Sequence, residues 1–228
     1  MDTENTMEQA KFRLLEAALP HVPFDGWSEA TFMAAVTDSA TPVGLARALF
    51  PRAGIDLAVA YHQQGDAAMQ QRLAATDLAA LRIRERITLA VRTRLESADR
   101  ELVRKGSALL ALPQYIGEGP KLIWQTADAI WNALGDTSRD VNWYTKRATL
   151  AAVYASTLLF WLGDTSENDA QSWEFLDRRI ADVMQFEKAK AGIRSNPLGK
   201  AILEGPLKIL ERVHAPLKPD DLPGQTRN

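Results

Sequence analysis

The chain has 228 residues, of which 46% are hydrophobic and 25% charged, a size and composition that suit a globular protein with a sizeable core. It contains no cysteine, which excludes disulfides, thiolate metal sites and cysteine nucleophiles. The formal net charge of −2 excludes the global basic field by which many proteins attract nucleic acid.

The first residues of the chain show no targeting pattern. Residues 1–8 are acidic and lack both the apolar run of a signal peptide and the arginines of a transit peptide. The longest apolar stretch, residues 148–162, contains Thr149, Ser156 and Thr157, and it is too short and too polar to span a bilayer. We therefore expect a cytoplasmic protein in which residues 148–162 form a buried core helix.

Helical periodicity dominates the sequence, and the alternation typical of strands is nearly absent. Apolar residues recur at three- and four-residue spacing, as in Ile83, Ile87 and Val91. The pattern predicts an all-α fold of about ten helices, over residues 7–19, 28–38, 42–49, 54–74, 78–97, 99–111, 116–134, 141–162, 167–187 and 197–213. Helix N-caps are expected at Ser28, Asp140 and Ser166.

The order of the helices predicts a head and a body. Residues 1–52 match a three-helix unit with a helix-turn-helix, and a larger helical body follows over residues 53–187. This is the layout of TetR-type regulators. Residues 188–215 are interpreted as a linker and a C-terminal amphipathic helix, and residues 216–228, rich in Pro, Asp and Gly, as a disordered tail.

The head lacks the charge that a DNA-binding unit needs. Its third helix, residues 42–50, carries Arg47 as its one cation. Residues 1–56 contain four basic and eight acidic side chains, a net charge of −4. Because phosphate neutralisation supplies most non-specific DNA affinity, we expect no nucleic-acid partner. A ligand-sensing transcription regulator of the TetR type remains the alternative hypothesis.

Catalytic and metal-binding patterns are weak. A di-iron bundle needs two Glu-x-x-His repeats, and the one match is Glu211 with His214. His21 and His62 are isolated in sequence and favour surface or structural roles. No glycine pattern fits a phosphate cradle, and no spacing suggests a Ser-His-Asp set. We expect a non-catalytic protein without metal or cofactor.

An arginine-rich stretch over residues 82–96 admits two interpretations. Its cations are Arg82, Arg84, Arg86, Arg92 and Arg94. With Glu85 and Glu96 nearby, a solvated helix face is favoured, and contact with acidic lipid head groups or an acidic partner is the alternative.

Five of the six tryptophans fall between residues 124 and 173, where helical spacing favours core packing for most. Trp143 and Tyr144 differ because they lie in the first turn of a predicted helix beside Asp140 and Asn142. Adjacent helical positions point about 100° apart, so both rings are buried only if that helix end is enclosed. An exposed aromatic pair among polar groups is typical of a protein interface.

The segment 197–213 carries a broad apolar stripe opposite a polar one. The residues assigned to lipid or membrane contact are Leu198, Ile202, Leu203, Leu207, Ile209, Leu210 and Val213. Gly205-Pro206 should bend this helix, and residues 190–196 look like a flexible linker. Residues 188–228 hold eight Lys/Arg against four acids, which modestly favours an anionic surface. The helix either docks on its own core or lies on a membrane.

Three segments carry a resemblance to a known family. Residues 140–154 (Asp-Val-Asn-Trp-Tyr-Thr-Lys-Arg-Ala-Thr-Leu-Ala-Ala-Val-Tyr), residues 173–180 (Trp-Glu-Phe-Leu-Asp-Arg-Arg-Ile) and residues 21–27 (His-Val-Pro-Phe-Asp-Gly-Trp) resemble the COQ9 family of ubiquinone biosynthesis proteins. The resemblance extends over about residues 10–187.

This resemblance implies a TetR-like fold, a homodimer and a hydrophobic pocket for isoprenoid lipid. It also implies assistance to the di-iron hydroxylase that acts on demethoxyubiquinone, and a terminal amphipathic helix at the membrane surface. Trp143, Tyr144, Asp140, Asn142 and Ile130 would then belong to the patch that docks the hydroxylase. Without a long transit segment, the chain would be a bacterial relative that lies peripherally on the inner membrane.

Overall fold

The computed structural model describes residues 2–195 and 215–216, and its regular structure there is entirely helical. The α-helices in this part of the chain are α1 (Asp2–Ala18), α2 (Val22–Asp25), α3 (Glu29–Asp38), α4 (Val43–Leu49), α5 (Gly54–Ala74), α6 (Ile83–Glu96), α7 (Arg100–Leu110), α8 (Glu118–Ala133), α9 (Val141–Gly163) and α10 (Ala170–Ser195). Short 3₁₀ turns occupy Leu19–His21, Pro113–Tyr115 and Glu167–Asp169. The prediction of an all-α fold with about ten helices is confirmed.

Local side-chain chemistry starts several of these helices. Ser28 accepts a hydrogen bond from the Thr31 amide at 3.2 Å, and Asp140 accepts one from the Asn142 amide at 3.1 Å. Both caps were predicted. The helix predicted from residue 167 instead begins at Ala170, because Asn168 has a φ of +51° that no α-helix accommodates.

The end of α10 corrects the predicted boundary of the body. Residues 188–195, expected to begin a linker, continue α10 to Ser195. Alanine and lysine over residues 188–191 favour helix, and a single glycine, Gly192, costs only about 1 kcal/mol within one. The C-terminal helix predicted for 197–213 lies outside the described residues, as does the tail beyond residue 216.

Two apolar cores lie along α5. One joins α1 to α4 with the start of α5, and its buried members include Leu14, Phe32, Val36, Phe50 and Leu57. The other joins α5, α6, α8, α9 and α10, and its buried members include Met69, Val91, Ile130, Tyr154, Trp161 and Leu176. The expectation that residues 148–162 form a buried core helix is confirmed. Since α5 serves both cores, the head packs continuously onto the body.

Trp27 fixes the head against α5 and α7. Its indole nitrogen donates to the carbonyl oxygen of Leu102 at 3.1 Å. The first residue of α5, Gly54, passes so close that a Cβ there would lie 2.4 Å from the Trp27 carbonyl oxygen. Glycine is therefore required for this approach. Within the described residues, no helix has both the length and the hydrophobicity needed to cross a membrane.

Candidate functional site

A cavity of about 280 Å³ lies between helices α5 to α9, and we call it the α5–α9 cavity. Most side chains that line it are apolar. The lining residues are Trp27, Ala58, Tyr61, His62, Arg94, Leu95, Ala98, Leu102, Val103, Gly106, Ser107, Leu110, Ala111, Gly119, Leu122, Ile123, Tyr154, Ala155, Leu158 and Leu159. An apolar cavity with a few polar groups is the usual form of a small-molecule site.

The polar part of this wall belongs to a buried network. Arg94 donates through Nε to Asp66 at 2.6 Å and through Nη2 to the His62 carbonyl oxygen at 3.0 Å. Thr126 donates to Asp66 at 2.9 Å and lies 2.8 Å from the imidazole of His62. Arg94 and Asp66 are both buried, so each compensates the charge of the other.

Burial sets the protonation of the network. Burial lowers the pKa of His62 to about 4, and the positive charge of Arg94 adds to this effect. Burial also raises the pKa of Tyr154, which is enclosed in the same wall. At neutral pH both rings are therefore uncharged. The guanidinium of Arg94 packs directly against Gly65 of α5. A Cβ at Gly65 would lie 2.7 Å from the guanidinium carbon, so only glycine leaves enough space for Arg94 here.

A second cavity, of about 210 Å³, lies on the opposite side of α9, and we call it the α6–α10 cavity. Its lining combines an apolar interior with four polar side chains from the first turns of α9. The lining residues are Ile83, Ile87, Trp131, Asn142, Thr145, Lys146, Thr149, Leu150, Val153, Ile180, Val183 and Met184. Lys146, which lines this cavity, also pairs with the buried Asp136.

Three half-buried rings form what we call the aromatic cluster: Trp124, Trp143 and Tyr144. The rings of Trp143 and Tyr144 meet edge to face with centroids 4.7 Å apart. Trp124, on α8, lies 6.0 Å from Trp143 and 6.5 Å from Tyr144. Both predicted interface rings are thus partly exposed, and they form one surface with a tryptophan of the preceding helix.

A buried cation supports the aromatic cluster from below. Arg147 lies under Trp143 and bonds Asp128 at 2.5 Å and Asp136 at 3.0 Å. Lys146 also bonds Asp136, at 2.7 Å. Burial alone would raise the pKa of Asp136, but hydrogen bonds from Lys146, Ser138 and Arg147 outweigh it and lower that pKa to about 2. This carboxylate therefore fixes the start of α9.

The remaining predicted docking residues separate into two groups. Asp140 and Asn142 are exposed next to the aromatic cluster, and Asp140 caps α9 while its second oxygen accepts from the Asn142 side chain at 2.9 Å. Ile130 is 0% exposed and belongs to the body core. The prediction that Ile130 lies in a docking patch is therefore wrong, because α8 directs this side chain inward.

Sequence reasoning missed the buried charges. Arg94 was assigned to a solvated face, and that interpretation holds for Arg92, which pairs with Glu96 at 2.9 Å. Arg94 itself is 3% exposed. The sequence did hold a signal for the burial of Arg94, because this residue lies on the same helix face as the apolar Val91 and Leu95. Arg147, likewise on the buried stripe that includes Leu150, carried the same signal.

One residue of the C-terminal region, Ala215, contacts the chain just before the start of α9. The amide of Ala215 donates to the carbonyl oxygen of Arg139 at 3.0 Å, directly before the residue that caps α9. The residues assigned to lipid or membrane contact, Leu198, Ile202, Leu203, Leu207, Ile209, Leu210 and Val213, lie outside the described residues. Their role stays a prediction.

The helix-turn-helix surface does not present cations to a duplex. Arg47 on α4 bonds Glu29 and stacks over the ring of Phe32 at 4.5 Å. Val43 and Leu45 are exposed on the same helix. Arg47 is the one cation of α3 and α4, and its pairing with Glu29 leaves these two helices without an unpaired cation for a phosphate.

A family model described as COQ9 matches residues 116–187, the range that holds α8, α9 and most of α10. The chain is 32% identical over 210 residues to the ubiquinone biosynthesis protein COQ9, mitochondrial, of Rattus norvegicus, covering 87% of this chain and 65% of that protein. It is 31% identical to COQ9-B of Xenopus laevis, covering 87% of this chain and 70% of the relative. The chain thus spans just under two thirds of the length of the rat relative.

The comparisons also bear on fold and location. A crystal structure of the TetR transcriptional regulator from Nitrosomonas europaea ATCC 19718 matches with a TM-score of 0.62 at 18% identity, covering 76% of this chain and 97% of that chain. At this identity the likeness shows the fold alone, and it confirms the predicted TetR-like architecture. The relatives are named as mitochondrial proteins. That finding overturns the expectation of a cytoplasmic protein on a bacterial inner membrane.

Proposed function

The chain belongs to the COQ9 family, and we propose that it is a non-catalytic lipid-binding accessory protein of ubiquinone biosynthesis. In this proposal it binds an isoprenoid quinone precursor and presents it to the di-iron demethoxyubiquinone hydroxylase at a membrane surface. The observation that carries the proposal is the α5–α9 cavity, a mostly apolar cavity lined by side chains of five helices.

The cavity supports a lipid ligand in size and lining. Its 280 Å³ lies close to the lower end of the range for ligand sites, about 300 Å³. Because apolar side chains dominate its wall, burying a hydrocarbon there gains roughly 25 cal/mol for each Å² removed from water. A polyprenyl quinone is insoluble in water, so an enzyme at the membrane gains from a carrier that shields it.

The aromatic cluster supports a protein partner. Exposed tryptophan and tyrosine side chains are enriched at interface hot spots, and here Arg147 and its two aspartates hold the cluster in place. Preorganised rings lose little conformational entropy on binding. We assign Trp143 and Tyr144, with the exposed Asp140 and Asn142 beside them, to the hydroxylase-docking surface.

Lipid extraction tests the cavity. Protein is incubated with liposomes that contain an isoprenoid quinone, separated from them, and assayed for bound quinone. Gly106 lines the cavity on α7, and Ala108, exposed on the same helix, does not. Gly106→Phe should lose most of the extracted quinone and Ala108→Phe should retain it. Equal retention by both variants would contradict binding in this cavity.

Two further parts of the proposal have their own tests. Leu203→Glu with Ile209→Glu should reduce co-sedimentation with anionic liposomes, since charges weaken insertion of an interfacial helix. Unchanged co-sedimentation would refute a membrane role for 197–213. We also propose a homodimer, which light scattering should show as a mass twice that of the 25.2 kDa chain.

A further inference from the structure

We infer that the connection between α7 and α8, together with the end of α9, is a membrane-contact surface that binds the interface of an anionic phospholipid bilayer. We call it the α7–α8 rim and define it by four exposed apolar residues: Ala111, Leu112, Ile116 and Leu159. The inference rests on the proposed membrane role. It adds a point of contact that is separate in sequence from the segment 197–213.

The α7–α8 connection exposes large apolar side chains and carries no charge. Residues 106–117 contain no Asp, Glu, Lys or Arg. Leu112 is 42% exposed and Ile116 is 71% exposed, and Tyr115 between them is half-buried. Tyrosine is enriched where membrane and water meet, and aliphatic side chains gain free energy there by leaving water. The composition of this connection therefore suits the interfacial layer of a bilayer.

The backbone of the connection is hydrogen-bonded within itself. The amides of Ala111 and Leu112 donate to the carbonyl oxygens of Ser107 and Leu109, each at 3.1 Å. The amide of Tyr115 donates to the carbonyl oxygen of Leu112 at 2.9 Å. Moving a backbone group out of water costs least where it is already paired. The connection can therefore enter the membrane interface without a change of conformation.

The rim borders the opening of the α5–α9 cavity. Ala111 and Leu159 line this cavity and are also exposed, Leu159 to 68%. Gly119 and Leu110 line it too, and a Cβ on Gly119 would lie 3.8 Å from that of Leu110, so the two ends of the connection meet beside the opening. A bilayer in contact with the rim therefore covers the opening of the cavity.

The charges that flank the rim favour an anionic surface. The flanking cations are Arg104, Lys105 and Lys121. Glu101 is one acid shared by the first two of them. Glu118, at the start of α8, accepts a hydrogen bond from Arg52 at 2.7 Å, which compensates its charge. The flanks are thus net positive although the whole chain carries −2, and each cation near an anionic membrane strengthens binding modestly.

The head shows why exposed apolar residues alone do not define a membrane surface. Val43 and Leu45 on α4 are exposed to 49% and 41%, much like Leu112. Residues 1–56 around them carry a net charge of −4, which an anionic bilayer repels. The sign of the neighbouring charge therefore selects the α7–α8 rim.

Paired substitutions test the inference. Leu112→Glu with Ile116→Glu should weaken binding to vesicles of phosphatidylcholine and phosphatidylglycerol about tenfold, because two apolar side chains are lost and two acids face an anionic surface. Val43→Glu with Leu45→Glu adds the same charge at similar exposure and should bind as the unsubstituted protein does. Equal vesicle binding by the two variants would overturn the inference.

The absence of cysteine allows a label to report on the rim directly. Ile116→Cys carrying an environment-sensitive fluorophore should emit at shorter wavelength on these vesicles and be quenched by lipids with a quencher in the acyl chains. Leu45→Cys with the same fluorophore should not respond. A vesicle-bound protein whose label at position 116 stays unquenched would overturn the inference and leave the membrane role of 197–213 intact.

Two further outcomes separate this inference from the proposed function. If Leu112→Glu with Ile116→Glu lost co-purification with the hydroxylase and kept vesicle binding, the rim would be a protein interface and the inference would fail. If the unsubstituted protein did not sediment with these vesicles, the proposed membrane role would fail as well.

Discussion

The guanidinium of Arg147 lies beneath the indole of Trp143, with its central carbon 4.0 Å from the ring centroid. Arg147 is almost completely buried, whereas Trp143 is partly exposed. The contact therefore joins the proposed docking surface to the ion pairs that Arg147 makes with Asp128 and Asp136. Substitutions of Asp128 or Asp136 should therefore also disturb the position of the Trp143 ring.

The two aspartates that bind Arg147 should differ in their contribution to stability. The side chain of Asp136 is 2% exposed and that of Asp128 is 36% exposed. Asp136→Asn removes charge compensation from a buried cation and should lower the free energy of unfolding by about 3 kcal/mol. Asp128→Asn should cost less than about 1 kcal/mol. Urea denaturation measures both, and equal losses would contradict this account of the site.

The aromatic cluster should be needed for binding the hydroxylase. Trp143→Lys with Tyr144→Lys should abolish co-purification with the enzyme, because it removes two rings and adds two charges. Loss of the contacts that Trp143 makes should also cost about 1–2 kcal/mol of stability, so the fold persists. Gln171→Lys, exposed on α10, is the control and should bind normally. Retained binding by the double variant would exclude this surface.

His62 should make the fold sensitive to mild acid. Its pKa is about 4 in the folded chain against an ordinary value of 6.5, so between these values only the unfolded chain takes up the proton. The contribution to stability is complete above pH 6.5 and falls by about 3 kcal/mol as the pH drops to 4. His62→Gln should flatten the pH dependence of the urea midpoint in this window. Asp136 does not contribute there, because its effect begins below its ordinary pKa.

Two helical glycines should respond in opposite directions to alanine. At Gly54 a Cβ would meet backbone atoms of Trp27, the nearest at 2.4 Å, whereas at Gly44 it meets nothing within 4 Å. Gly54→Ala should therefore destabilise the protein by about 1–3 kcal/mol. Gly44→Ala should be neutral or stabilising by up to about 1 kcal/mol. Thermal denaturation distinguishes them, and a tolerated Gly54→Ala would contradict the close packing of the head on α5.

Local signals allowed most of the fold to be predicted. Periodicity located the helices, and polar caps such as Ser28 and Asp140 located two of their starts, because these features depend on neighbours in sequence. The same signals placed Trp143 and Tyr144 at a partly exposed helix start. The extension of α10 to Ser195 was missed because residues 190–196, which include Gly192, were interpreted as a flexible linker.

The cavities and buried charges could not be predicted in the same way. The α5–α9 cavity brings together Trp27 and Leu159, which are distant in sequence, and an unfilled space has no local pattern. The pairing of Asp66 with Arg94 likewise depends on how α5 and α6 pack. Ile130 was assigned by resemblance, which identified a neighbourhood without showing which way the side chain points.

Native mass spectrometry of gently purified protein tests the lipid-binding claim most directly. If the protein is a lipid carrier, it should co-purify with an isoprenoid that organic extraction releases. The Gly106→Phe variant should purify without this lipid, and the Ala108→Phe variant should retain it. A wild-type protein that carries no isoprenoid, and takes none up from quinone-containing liposomes, would contradict the claim.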